Sequence, residues 1–213
     1  MGAPAKTIEV EFDARDFFNP VYIPYLNEGM AKSLEIFYGG SSSGKSNFVA
    51  HRAVLDVLAG GHNYLCVRKL SKSIIKSVYN EINKAITDLG LREQFRCVPS
   101  QSYIECVNGY QILFSGMDDP EKIKSITPVK GVITDVWYEE ATEGALEDVK
   151  QLRKRLRGRT ERDVVKRIIL SFNPIYKTHW IVQEFFVPNE WADDQRFFEN
   201  ENLRIVKTTH TDN

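Results

Sequence analysis

The stretch "IFYGGSSSGKSNFVAHRAVL" (residues 36–55) sets an apolar run, a glycine- and serine-rich turn and an amphipathic run in direct succession. The first of these, "LEIFYG" (34–39), is short and unbroken, as a strand buried on both faces requires. Beyond the turn, Phe48, Val49, Val54, Leu55 and Leu58 recur at helical spacing between Ser46 and Leu58. Gly60-Gly61 stops that helix. In between, Gly39, Gly40, Ser41, Ser42, Ser43, Gly44, Lys45 and Ser46 satisfy G-x-x-x-x-G-K-[ST] at every position. Glycines let backbone N–H groups turn inward around phosphate oxygens. The helix N-terminus adds the positive end of its dipole. In such a loop Lys45 reaches the β- and γ-phosphates and Ser46 ligates Mg²⁺. A Ser/Gly connector would also turn the chain, but motif and flanking context agree on a nucleoside triphosphate.

Strand and helix patterns alternate onward from residue 34. "NYLCVRK" (63–69) reads as a second buried strand, and Ser71 caps a helix running to about Leu89. "FRCVPSQSYIECVNGYQILFSG" (95–116) alternates like paired strands around Asn108-Gly109, a hairpin signal. It predicts an antiparallel insertion ending in a core strand, "QILFSG". "VITDVWYEEA" (132–141) is a strand and Ala145–Arg157 a helix. "VKRIILSFNP" (165–174) is a strand closed by an Asn-Pro turn. A short helix (178–186) and a last strand, "LRIVKTT" (203–209), follow. The alternation argues for a mostly parallel sheet covered by helices on both faces.

Composition is that of an ordinary soluble domain: 213 residues, formal net charge −1 and 42% hydrophobic residues. That charge implies no partner. Cys66, Cys97 and Cys106 are odd in number and lack metal-ligand spacing, so free thiols in a reducing cytosol are expected. No apolar run approaches the ~20 residues that span a bilayer, and the first 18 residues hold no signal-peptide core.

"VWYEE" (136–140) places two acids where a buried strand ends. Parallel sheets bind their ligands at such carboxyl ends. Glu139 is the expected metal ligand and Glu140 the residue that polarises an attacking water. Asp135 is the alternative metal ligand, although period-two alternation would turn it away from Trp137's neighbours at the strand tip. A solvated acidic helix start would look similar. The second acid favours hydrolysis over phosphate delivery to an organic hydroxyl. "IILSFNP" brings Ser171 and Asn173 to another strand tip, where Asn173 could contact the γ-phosphate or the water.

Taken together, "FNPVYIPYL" (18–26), "GGSSSGKS" (39–46), "GMDDPEKIKSI" (116–126), "VWYEEATE" (136–143), "SFNP" (171–174) and "TTHTDN" (208–213) resemble the ATPase domain of the large terminase subunit of tailed bacteriophages. The resemblance covers nearly the whole chain, in order. It implies an α/β P-loop NTPase of the additional-strand, catalytic-glutamate (RecA-like) type. Residues 1–33 would form an N-terminal segment and 34–213 the ATPase core. ATP and Mg²⁺ are the implied ligands. Lys45 and Ser46 match the phosphate-loop residues, Glu139 the metal-binding acid and Glu140 the catalytic glutamate. Asn173 lies in the motif that couples hydrolysis to movement. Tyr22 and Tyr25 sit where such motors hold adenine. The implied activity is packaging of double-stranded DNA into a procapsid in the host-cell cytoplasm. A portal protein, a small terminase subunit and other copies in a ring are the implied partners, and no membrane is.

Two departures stand out. Relatives often carry an arginine within the loop, where this chain has Ser41, so a substitute is expected in cis or from a neighbouring subunit. Arg68 is one candidate, with Lys124 and Arg157 as others. Large terminases also carry a nuclease domain, and none is expected between Met1 and Asn213. "KQLRKRLRGRTERDVVKR" (150–167) concentrates cations suited to a DNA backbone, to a neighbouring subunit or to solvent. Two rival functions are a nucleotide or small-molecule kinase, with "RKRLRGRT" as an arginine-rich lid, and a nucleotide-gated binding module that hydrolyses little. A helicase would need a second motor core, which the sequence does not show.

Overall fold

The computed structural model describes residues 11–209. Residues 1–10 and 210–213, the latter including the end of "TTHTDN", lie outside the described residues. Nine strands form a single sheet among the described residues: β1 (Leu34–Gly39), β2 (Tyr64–Arg68), β3 (Phe95–Val98), β4 (Tyr103–Cys106), β5 (Gln111–Gly116), β6 (Asp135–Glu139), β7 (Arg167–Phe172), β8 (Phe197–Glu199) and β9 (Leu203–Thr208). Their order is β3-β4-β5-β2-β6-β7-β1-β9-β8. The six strands from β5 to β9 along that order pair in parallel. β3 and β4 extend one edge and β8 the other, all antiparallel. β7 lies between the phosphate-loop strand β1 and the acidic strand β6, which is the additional strand the resemblance implies.

Period-two alternation sorts side chains to two cores. Phe37, Cys66, Trp137 and Ile169 face α2 (Lys45–Ala59) and α4 (Asn80–Asp88), together with Phe18, Tyr22 and Tyr25 from the N-terminal segment. Ile36, Tyr38, Val136, Tyr138 and Leu170 face α6 (Leu146–Arg153), Ile123 of α5 (Pro120–Ser125) and the 181–186 turn. Both faces are covered, so the parallel strands are buried except at Arg68, Glu139 and Lys207; each fully buried large apolar side chain contributes about 1.5–3 kcal/mol.

Several boundaries differ from the sequence reading, and one strand was not read. The helix expected over 71–89 is α3 (Ser71–Ile74), a π turn at Ile75–Tyr79, then α4; Ser77 Oγ donates to the Ser73 carbonyl at 2.9 Å, a back-bond that loosens the helical ladder. β6 begins at Asp135 rather than at 132, because Asn63 Nδ2 takes the carbonyls of Lys130 (2.7 Å) and Val132 (3.0 Å). α6 ends at Arg153 rather than Arg157, because Arg155 turns away to donate to the carbonyls of Lys124 and Ile126. β8 escaped notice because three residues are too few for a periodic signal. The three cysteines are free thiols, and no helix among the described residues is long and apolar enough to cross a membrane.

Candidate nucleotide site

Four parallel strands deliver the site. β1 ends at Gly39, β6 at Glu139, β7 at Phe172 and β9 at Thr208; Glu139 pairs in register with Ser171, and Gly39 with Thr208. All four tips therefore meet at one end of the sheet. Gly39 must be glycine because a Cβ there would collide with the Thr208 carbonyl. Gly44 takes φ +77°, a left-handed turn that aims the chain into α2. No side chain caps the start of α2, and its first-turn N–H groups have no intrahelical acceptor. That is an uncapped, positive helix end inside a tight loop, the arrangement an anion needs. Ser42 also stands at positive φ (+67°), and Ser41 and Ser42 are exposed. Ser43 is buried, with a hydroxyl that has no hydrogen-bond partner.

Lys45 is buried beneath the loop and turned toward the acids. Its Nζ donates to the Gly40 carbonyl (3.2 Å) and to Asn173 Oδ1 (2.9 Å). Asn173 Nδ2 in turn donates to Glu140 Oε1 at 3.2 Å. The loop lysine, the strand-end asparagine and the second acid thus form one continuous chain. Burial pushes the Lys45 ammonium below its ordinary pKa, against the opposing pull of Glu140 and Glu139. Glu140 itself sits at φ +52°, ψ +49°. A bulky residue in the left-handed region costs roughly 1–3 kcal/mol, and such strain collects at functional sites. The turn that follows, with Glu143 N donating to Glu140 O at 2.9 Å, holds it there.

Glu139 has a different environment. Burial drives its carboxyl up to about 7; Arg68 opposes that rise, and Glu140 and Glu143 add to it. Arg68 Nε lies 2.9 Å from Glu139 Oε2. The pair is not aligned for a hydrogen bond, and both atoms are otherwise buried and unpartnered. An under-compensated buried carboxylate oxygen at the phosphate end of the sheet fits a divalent cation with a preference for oxygen. The Ser46 hydroxyl, on the first turn of α2, is the matching oxygen donor from the loop.

Of the three candidate cations, Arg68 alone reaches these acids; it also pairs with Glu143 at 3.1 Å. Arg157 and Arg155 border Val132 and Ile133, which precede the amino end of β6, and Lys124 lies beside them. They stand at the opposite end of that strand from Glu139. The same placement separates "RKRLRGRT" from the phosphate loop, so the segment is no lid over it. Asp135 is corrected as a metal ligand for the same reason: at the amino end of β6 it is fully buried, and its carboxylate is taken by His62 Nδ1 (2.6 Å), Thr134 (2.8 Å) and Arg167.

Tyr22 and Tyr25 are corrected as open base contacts. The Tyr22 ring is fully buried, stacked on Phe48 at 4.8 Å, with its hydroxyl donating to Ser43 O (3.2 Å) and paired with Thr208 Oγ1 (2.8 Å). It braces the phosphate loop from behind. Tyr25 packs against Phe197, and the Arg204 guanidinium lies 4.3 Å from its ring centre. Sequence reasoning missed three supports of the site. Thr208 backs Gly39. Trp137 Nε1 donates to Ser171 Oγ (2.8 Å), joining β6 to β7. Asp148 accepts from Lys69 (3.1 Å), Tyr138 (3.2 Å) and Ala145 N (3.0 Å), fixing the start of α6 against β2 and β6. Only contacts across strands reveal them, although Thr208 lies within "TTHTDN" (208–213).

A phosphate loop on β1, an extra strand beside it and paired carboxylates ending the next strand define an additional-strand P-loop NTPase. The chain belongs to the phage terminase large subunit family, whose profile matches residues 31–213. It is 29% identical over 155 residues to the PBSX phage terminase large subunit of Bacillus subtilis (strain 168), covering 73% of this chain and 34% of that protein. It is 27% identical over 173 residues to the terminase large subunit of Bacillus phage SPP1, covering 78% and 41%. The chain thus spans roughly two fifths or less of these relatives. Among solved structures, the large terminase of a thermophilic bacteriophage superposes with a TM-score of 0.67 at 15% identity, over 95% of this chain and 47% of that one. The N-terminal domain of the DNA packaging ATPase from bacteriophage phi29 gives 0.61 at 16% identity, over 90% and 95%. The thermophilic phage's terminase has also been solved with ATP-γ-S and with ADP.

Proposed function

We propose that this chain is the ATP-hydrolysing motor module of a terminase large subunit and drives double-stranded DNA into a procapsid. The observation that carries the reading is the hydrogen-bonded chain Lys45–Asn173–Glu140, which links the phosphate loop to a carboxylate. The loop amides and Lys45 bind the β- and γ-phosphates. Glu139 and the Ser46 hydroxyl would hold Mg²⁺, which would screen phosphate charge when bound. Glu140 accepts the proton of the attacking water. Asn173 touches both the phosphate-side cation and the base, so loss of the γ-phosphate changes its partners and β7 carries the change. Arg68 is the cis cation that stands in for the arginine missing at Ser41. Family membership and the nucleotide complexes of the thermophilic phage's terminase support ATP as substrate. The phi29 viral genome packaging motor assembly, a structural relative, supports a place within a genome-packaging assembly. Other copies in a ring, a portal protein and a small terminase subunit are the further partners of this reading. Phosphate release from Mg-ATP, measured with and without linear duplex DNA, tests it: turnover that rises with DNA is expected, and ATP left intact in both would refute it.

A further inference from the structure

From Lys150 to Arg159 the chain carries six lysines and arginines and no acid, in a protein of formal net charge −1. The structure turns this run into a concave surface. Lys150 and Lys154 on and after α6, Arg155 and Arg157 beyond it, and Lys124 from α5 line one cavity of about 500 Å³; Glu147 is the one acid in its wall. A solvated helix face ordinarily intersperses its charges, because converging like charges repel. Here they converge; burial chiefly, and the adjacent Arg157 next, push the Arg155 guanidinium below its ordinary pKa.

The backbone under these cations is fixed. Leu152 is buried in the core, Arg155 is tied to the carbonyls of Lys124 and Ile126, and Lys166 Nζ donates to Gly158 O at 2.5 Å. The acids that meet these cations are themselves exposed: Lys124 Nζ pairs with Glu121 Oε1 at 2.6 Å, and surface pairs of this kind are weak. Lys154 and Arg157 are exposed and form no ion pair among the described residues, Arg157 Nε donates to the Lys154 carbonyl at 2.5 Å, and Lys150 meets Glu147 only at 4.0 Å. A rigid concave bed of exposed cations, none of them held by a buried acid, suits an extended row of phosphates.

We propose that the surface formed by Lys124, Lys150, Lys154 and Arg157 holds the phosphate backbone of duplex DNA. The proposal rests on the packaging reading above. It places the DNA contact at the end of α6 remote from the nucleotide, while the start of α6 is fastened beside Glu139 through Asp148 and Tyr138. Contacts of this kind are blind to base sequence and sensitive to salt.

The test is fluorescence anisotropy of the whole chain with two unrelated duplexes of about 30 base pairs across a salt series, for wild type, Lys154→Ala/Arg157→Ala and the exposed control pair Lys72→Ala/Lys76→Ala. Removing two phosphate contacts should weaken binding of both duplexes at least tenfold and reduce the log–log salt slope by about 1.8. Binding of a fluorescent ATP analogue should stay unchanged, as should the control pair. Unaltered affinity and slope in the first double variant would overturn the proposal, as would loss in the control pair alone. Loss of ATP-dependent self-association with DNA affinity intact would assign the surface to a neighbouring copy instead. ATP turnover without DNA, measured on the same samples, tests the motor reading separately.

Discussion

The Lys45 ammonium donates to Asn173 Oδ1 across 2.9 Å, joining residues 128 positions apart in sequence. One comes from the loop after β1, the other from the turn after β7, and these strands are direct neighbours. The asparagine's amide nitrogen then faces Glu140. A single side chain therefore touches both the phosphate-side cation and the candidate base.

Asn173→Ala should cut ATP turnover about 10²- to 10³-fold, the size expected when a positioned polar group is lost, while nucleotide affinity changes little. Steady-state phosphate release alongside equilibrium nucleotide titration separates the two. An affinity loss as large as the turnover loss would show that Asn173 serves binding alone.

Arg68→Ala should lower turnover on the order of 10³-fold if this arginine acts on the transferring phosphate, with recovery limited in Arg68→Lys because lysine lacks the planar fork. The comparison to make is kcat against KM. An unchanged kcat would leave Arg68 as nothing more than a tie between Glu139 and Glu143.

Tyr22→Phe removes one hydroxyl and leaves the ring in place. It should cost about 1–3 kcal/mol in urea unfolding, because Ser43 O and Thr208 Oγ1 lose a buried partner. A variant as stable as wild type, with selectively weaker adenine binding, would restore the base-contact role.

How much of this was legible in sequence depended on range. The loop between Gly39 and Ser46 carries its own signature, because its chemistry is confined to one short run of consecutive residues. Strand periodicity placed Glu139 and Glu140 at a tip. Strand order was not readable: β7 slots between β1 and β6 through pairings that no local window records. Tyr22 resembled a base contact by position in the chain, yet burial against Phe48 decides its role. Asp135 and His62 were opaque for the same reason, since their network with Arg167, Asp56 and Tyr64 assembles from separate segments of the chain.

That network gives the pH prediction. Burial pushes His62 down, but the hydrogen bond and charge of Asp135 outweigh it, with Asp56 adding and Arg167 opposing, and its pKa stands above 6.5. Glu28 faces its other nitrogen at 3.3 Å. A raised folded value means that protonated His62 stabilises the fold fully below the unfolded pKa of about 6.5. That contribution fades as pH climbs through the folded value. Urea midpoints between about pH 6 and pH 9 should fall in wild type and fall less in His62→Gln. Parallel curves would remove His62 from the balance.

The central claim, that Glu140 activates water against a phosphate held by Lys45 and its loop, meets its most direct test in Glu140→Gln. Single-turnover phosphate release from Mg-ATP, measured with bound nucleotide on the same sample, should show saturable ATP binding like that of wild type. It should also show release slowed by about 10²–10⁴-fold. Release at the wild-type rate from the glutamine variant would contradict the account.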